Sequence, residues 1–321
     1  MTADRDRIKR NRGLRVNNGR VFAKNGARSV IMLILLLAFG LFVSGGISGY
    51  VIDGMKYSVL KIIPAAFPFM IVSDLYLKQG YPENIAPLRY LFTKVTHLPS
   101  EALRAYVCGS IGGFPIGAAL SGKLYEDGIL NEKESEYLSA VSNSPSIPFT
   151  VAVVGEGMLG ERLLGIKILL INFLSSFITA YIFRGEERNR SRQSVEYTSK
   201  FNLTSSVRAA AESCIYVTAF VALFACISGV IGNLDINTLS KAVIRSLIEI
   251  TTAADYITNT GFNTAFKLSL LSFALSFGGF SVMMQSCALN TKGTIGLRYI
   301  FIKLTQGLIS FCLASFLLFA S

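Results

Sequence analysis

Charge is what this chain has least of. Only 16% of its residues are Asp, Glu, Lys or Arg, where a soluble domain carries about 25%. It has a single histidine, His97, and no tryptophan. One imidazole in a polar stretch cannot build a zinc site. No HExxH helix, paired aspartate or Ser–His arrangement accompanies it, so the equipment of a metal-dependent or intramembrane enzyme is missing. The five cysteines (Cys108, Cys214, Cys226, Cys287 and Cys312) are scattered among apolar neighbours at no metal or redox spacing, and read as small hydrophobes. No catalytic residue, metal or resident cofactor is expected.

Long apolar runs stand in place of charge. Hydrophobic residues make up 51% of the chain, and the stretches 29–52, 137–155, 168–183, 213–234, 268–291 and 304–321 contain no charged residue. A helix crossing the hydrocarbon core needs about 20 such residues. Several runs meet that length and the shorter ones reach it with snorkelling Lys or Arg at their ends, so the six define an all-α, multi-pass integral membrane protein whose first partner is the lipid bilayer. The first run is longer than a signal-peptide core and ends at no small-x-small cleavage pattern, so a retained first span is expected.

The basic excess is concentrated. Residues 1–28 hold nine Lys and Arg against Asp4 and Asp6, and residues 184–208 hold six against three Glu. Basic residues collect in cytoplasmic loops. The expected organisation is a basic cytoplasmic arm (1–28), a first membrane half (29–183), a basic cytoplasmic loop (184–208) and a second membrane half (209–321). Without interleaved aromatics or a module signature these stretches do not indicate nucleic-acid binding.

Several apolar segments are interrupted. Residues 57–77 carry Pro64 and Pro68, which should kink the segment or make it re-entrant. Gly109-Ser110-Ile111-Gly112-Gly113-Phe114-Pro115-Ile116-Gly117 places four glycines and a proline in nine residues, which a continuous helix does not tolerate. Ser142-Asn143-Ser144-Pro145-Ser146-Ile147-Pro148 and Ser276-Phe277-Gly278-Gly279-Phe280-Ser281 break two further runs. The stretch 78–100, with Pro82, Pro87 and Pro99, reads as a loop.

Unpaired backbone in hydrocarbon costs several kcal/mol, so non-helical backbone survives there only inside protein or beside a wet cavity. Freed N–H groups at half-helix starts suit an anion, and freed carbonyls suit a cation. The candidate substrate-binding residues are therefore Ser110, Gly112, Gly113, Pro115, Ser142, Asn143, Ser144, Ser276, Gly278, Gly279, Ser281 and Gln285. The plainer alternative is that the glycines allow close helix packing and the hydroxyls bond their own helices. Glu249 is an intramembrane acid by position, and with Thr251 is a candidate for coupling to a proton or cation or for contact with substrate. Asp74 and Asp255 suit interfacial capping. Lys61 either snorkels or meets an anionic substrate.

The halves echo each other. Ser73-Asp74-Leu75-Tyr76 and Gly112-Gly113-Phe114-Pro115 in the first half match Ala254-Asp255-Tyr256 and Gly278-Gly279-Phe280-Ser281 in the second, in the same order. An internal repeat of the kind found in secondary transporters is expected.

Four stretches, in order, resemble the nucleoside-recognition (gate) domain family, and most closely the sporulation stage V integral membrane proteins of endospore-forming Firmicutes. They are 60–69 (Leu60 to Phe69), 112–118 with 124–130, Ser142-Asn143-Ser144-Pro145, and 276–282 with Gln285. Ile248-Glu249-Ile250-Thr251-Thr252 departs from the Glu-Ile-Thr-Asn-Gly common in that family. The resemblance implies re-entrant hairpins and repeated halves related to concentrative nucleoside transporters. It also implies movement of dipicolinic acid during sporulation, at the outer forespore membrane, with nucleosides the next substrate. The rival reading is a non-transporting membrane scaffold or assembly protein in sporulation. A homo-oligomer is compatible with either.

Overall fold

The computed structural model describes residues 47–78, 86–185, 202–290 and 296–319. The basic arm, the first predicted span as far as residue 46 and most of the basic loop lie outside them. Chain contacts divide the protein into residues 1–48 and 49–321, and the second unit holds nearly everything described. Among the described residues there is no strand. Among the described residues five helices are long and apolar enough to cross a membrane: Ser48–Tyr76, Arg162–Phe183, Leu203–Gly232, Thr264–Leu289 and Leu297–Leu317. This is a polytopic membrane protein, as the run lengths predict.

Helix α1 (Ile47–Tyr57) passes through a π-wound turn (Ser58–Ile62) into α2 (Ile63–Lys78). Of the two expectations for 57–77, kinked or re-entrant, the unbroken winding fits a crossing helix and not a re-entrant one. Pro64 falls in the first turn of α2 and Pro68 inside it, and the 29-residue rod stays continuous. A proline removes one N–H donor, and a wider π turn just before it is a way to absorb the mismatch. The predicted loop 78–100 contains a helix, α3 (Ala86–Thr96), with Pro87 at an N-terminal position where its missing N–H costs nothing.

Next come α4 (Ala102–Gly112) and α5 (Ile116–Glu126), which pack on each other. Then α6 (Glu132–Ser142) begins at a capping box in which Asn131 and Glu134 satisfy each other's main-chain N–H. A π-wound helix (Phe149–Met158) and α7 (Arg162–Phe183) complete this half. The second half runs α8 (Leu203–Gly232), α9 (Thr238–Ile248), α10 (Ile250–Thr258), α11 (Thr264–Phe277), α12 (Gly279–Leu289) and α13 (Leu297–Phe319). Asn202, Asn237 and Asn263 cap α8, α9 and α11 through their side chains, each worth about 1 kcal/mol. Arg208, at the end of the predicted basic loop, lies in α8.

Lipid offers little hydrophobic drive for one helix to leave it for another, so close packing of small residues carries association. The plainer reading of the glycines holds at several places. A Cβ on Gly109 would lie 2.6 Å from Gly117 Cα, one on Gly155 2.6 Å from Gly165 Cα, and one on Gly54 2.8 Å from Ala225 Cβ. These contacts close α4 on α5, the π helix on α7, and α1 on α8. Leu170, Ile215, Phe301 and Phe316 project outward from α7, α8 and α13, as bilayer-facing side chains should.

Candidate functional site

Four breaks interrupt the spans, one more than the sequence indicated. The first is narrower than expected. Gly109 to Gly112 remain helical, and only Gly113, Phe114 and Pro115 leave the helix, with Gly113 at φ +84°. The second runs from Asn143 to Ser146, between α6 and the π helix. The third is Gly278, at φ +87°, between α11 and α12, with Gly279 at +72°. The fourth is Glu249 itself, extended at φ −150° and ψ 121° between α9 and α10. No glycine or proline marked it.

Residues at or close to all four breaks line one small pocket of about 40 Å³. Its walls include Phe114 ahead of α5, Ser146 and Phe149 at the π helix, Glu249, Ile250 and Thr251 at α10, and Val282 and Gln285 from the first turns of α12. That volume admits water and no metabolite. Beside it lies an open cleft of about 460 Å³, within the range of small-molecule sites. Asp53, Lys56 and Lys61 line one side, and Arg245 and Asp255 the other. Val221 and Thr251 line both spaces, so Thr251 stands in the partition between them.

Glu249 is fully buried, and both its oxygens are committed. They accept from the main-chain N–H of Thr251 (2.9 Å) and Thr252 (2.7 Å). The carboxylate is therefore the N-cap of α10 as well as a wall of the cavity. Asp255, expected as a cap, instead lines the cleft. Thr251 Oγ1 is buried with no partner, and so are Ser110 Oγ, Ser144 Oγ and Asn143 Oδ1. Gln285 Nε2 donates to Ser281 Oγ at 3.2 Å. Of the candidates, Glu249, Thr251 and Gln285 reach the cavity wall.

Others do structural work. Ser142 Oγ donates to Leu138 O one turn back, the bland behaviour of a hydroxyl in a helix. A Cβ on Gly112 would meet Ser73 Oγ at 2.8 Å, and one on Gly113 would meet Ser146 Cβ at 2.5 Å. Pro115 precedes α5 through a cis peptide bond after Phe114. A Cβ on Gly278 would touch the Phe114 ring at 3.2 Å, and one on Gly279 would meet Ile248 O at 3.0 Å. Ser276 leaves the site altogether and donates to Asn172 Oδ1 at 2.6 Å, where Ser310 also donates at 3.0 Å.

Asn143 is the hub of the second break. Its Nδ2 donates to Ser286 Oγ (2.7 Å) and Tyr299 OH (3.1 Å). Its main-chain oxygen accepts from Lys303 Nζ at 2.8 Å, and the same amine donates to Gln306 Oε1 at 2.9 Å. Lys303 is completely buried in α13, in a setting where a lysine costs about 2.5–3.5 kcal/mol. Lys303 was missed in the sequence; its one signal was a cation at the edge of the uncharged run 304–321. Asn172 was missed too. Among the described residues no group of three or more His, Cys, Asp or Glu could hold a metal ion.

The fold and these breaks define a multi-pass α-helical membrane protein with a polar interior. Over 290 residues the chain is 21% identical to the sporulation integral membrane protein YlbJ of Bacillus subtilis (strain 168), covering 77% of this chain and 71% of that protein. The two are distantly related. No family model matches the chain, and no solved structure matches it.

Proposed function

We propose that the chain is a membrane transporter of a small polar or anionic metabolite, with dipicolinic acid the first substrate to test and nucleosides the next. One observation carries this reading. Residues at or close to all four interruptions line one small pocket, next to a cleft of metabolite size. A protein that only needed to pack would have no use for four costly interruptions at one place. The start of α10 is taken up by the Glu249 carboxylate, but the starts of α5 and α12 carry no side-chain cap, and their main-chain N–H groups and partial positive charge suit a planar dianion such as dipicolinate. The small cavity and the open cleft fit a closed inner chamber and an outer vestibule divided at Thr251.

A duplicated organisation supports the same reading, though its pairing sets the Gly113 break against Glu249 and the Asn143 break against Gly278, not the motif pairs read in the sequence. In each half a helix pair packed on itself, α4 with α5 and α9 with α10, precedes a broken span and then an unbroken one, α7 or α13. Equivalent members also meet, α2 with α8 and α7 with α13. The relation to concentrative nucleoside transporters rests on this pattern and on the motif resemblance. The sporulation relative favours the outer forespore membrane as the place of work. Glu249 is the candidate for coupling to a proton or cation.

Proteoliposomes holding the purified chain are expected to accumulate labelled dipicolinate above empty vesicles. A folded protein that moves neither dipicolinate nor uridine would return the reading to a sporulation scaffold.

A further inference from the structure

We infer that Lys303 is a binding residue for the carboxylate of a small organic anion, reached from the central cavity past the ring of Phe114. This rests on the transport reading for its place in the cell, but the binding claim stands on its own geometry. As an ammonium, Lys303 has three N–H donors. Two go to neutral acceptors, the main-chain oxygen of Asn143 and Gln306 Oε1. No ion pair neutralises it among the described residues.

A structural role accounts for part of this. Asn143 is the C-cap residue of α6, and a cation at a helix C-terminus is favourable. It does not account for the neighbours. Gln306 Nε2 and Ser144 Oγ are both buried and have no partner. With the third N–H of Lys303 they make three unused donors, held by the lysine, by its partner Gln306 and by the residue after its partner Asn143. A carboxylate accepts up to about four hydrogen bonds, and it is the group this donor set lacks. Asn143 Oδ1, an unused acceptor, suits a water or a hydroxyl alongside it, as does Ser144 Oγ in its accepting role.

Access is set by Phe114. Its ring lies 5.6 Å from Lys303 Nζ and also lines the cavity, whereas Lys303 does not. The aromatic face holds the cation while no anion is present. Displacement of that ring would open the lysine to the chamber.

Gln306→Glu is the decisive variant. It keeps size and shape and places an internal carboxylate against Lys303. If the lysine serves only to cap α6, this change leaves ligand binding unaltered. If the lysine binds an anion, the new carboxylate competes with it. Binding of dipicolinate and of pyridine-2-carboxylate to the detergent-purified full chain is measured by calorimetry, with thermal unfolding as the check on folding. Wild type is expected to bind at least one of them. Gln306→Glu, with its unfolding temperature unchanged or raised, should weaken that binding at least 10-fold, and Lys303→Met should do the same. No binding of either carboxylate by wild type overturns the inference, and so does equal binding by a folded Gln306→Glu protein. Binding without uptake in vesicles would sink the transport reading and leave the anion site standing.

Discussion

Gly113 and Ser146 share one contact that joins two breaks in the membrane. A Cβ on Gly113 would lie 2.5 Å from the Ser146 Cβ and from its main-chain nitrogen. The turn between α4 and α5 thus rests on the extended stretch between α6 and the π helix. Gly113 also sits at φ +84°, where a side chain is strained. Gly113→Ala should cost about 2–4 kcal/mol, from the backbone penalty plus overpacking. Gly128, also at positive φ (+74°), has nothing within 4 Å of an added Cβ, whereas Gly113 combines its contact with ψ −174°, a region kept almost wholly to glycine. Gly128→Ala should cost only about 1 kcal/mol. Thermal unfolding of the two purified variants side by side measures the difference, and equal losses would mean that the contact is unimportant.

Asn143 and Ser144 are adjacent and should behave in opposite ways. Asn143→Ala removes donors to Ser286 and Tyr299 and should destabilise the protein by about 1–3 kcal/mol. Ser144 Oγ has no partner to lose, so Ser144→Ala should leave the unfolding temperature within a degree or two. Its expected effect is on substrate uptake, which should fall several-fold. Unchanged uptake in Ser144→Ala vesicles would take the Ser144 hydroxyl out of the substrate path.

Glu249 carries the start of α10. Glu249→Ala frees the amides of Thr251 and Thr252, a loss of about 1–2 kcal/mol for a helix cap. Hydrogen exchange at those two amides should accelerate by about tenfold, since 1.4 kcal/mol corresponds to a factor of ten. Glu249→Gln keeps one good acceptor and should show a smaller change. If only coupling and not capping depended on this residue, exchange at Thr251 and Thr252 would be the same in all three proteins.

Thr251 separates the cavity from the cleft without a bond to hold its hydroxyl. Thr251→Val is nearly isosteric and should be neutral or slightly stabilising, because a buried unsatisfied hydroxyl is removed. Uptake should drop. In a cysteine-free background, Asp53→Cys and Asp255→Cys should react rapidly with a membrane-impermeant maleimide, as both line the cleft. Ser276→Cys, buried against Asn172, should be protected, and labelling as fast as at Asp53 would contradict the packing described.

The spans were legible because a membrane helix announces itself by length, and the breaks at Gly113, Asn143 and Gly278 because glycine, proline and clustered polar residues disrupt winding. Glu249 was legible as an acid at depth but not as a break, since its extended backbone is held by its own side chain and needs no special residue. Pro64 and Pro68 do not break the winding of their span, because a π turn precedes them and Pro64 falls in the first turn of α2. Lys303 was hidden by its place at the end of an apolar run, where a lysine ordinarily reaches for the surface. Burial depends on which residues of other helices surround it, Asn143 and Gln306 here, and that is not written in local pattern.

The near-contact of Gly109 with Gly117, and of Gly117 with the main chain of Ser142, has a mechanical consequence. With no side chain between them, α4, α5 and the end of α6 have no slack in which to slide or splay at that level. The pair behaves as a rigid lever clamped below its tip. Any motion that uncovers Lys303 is then confined to the three residues Gly113, Phe114 and Pro115, and cross-linking lower down the pair should leave it free.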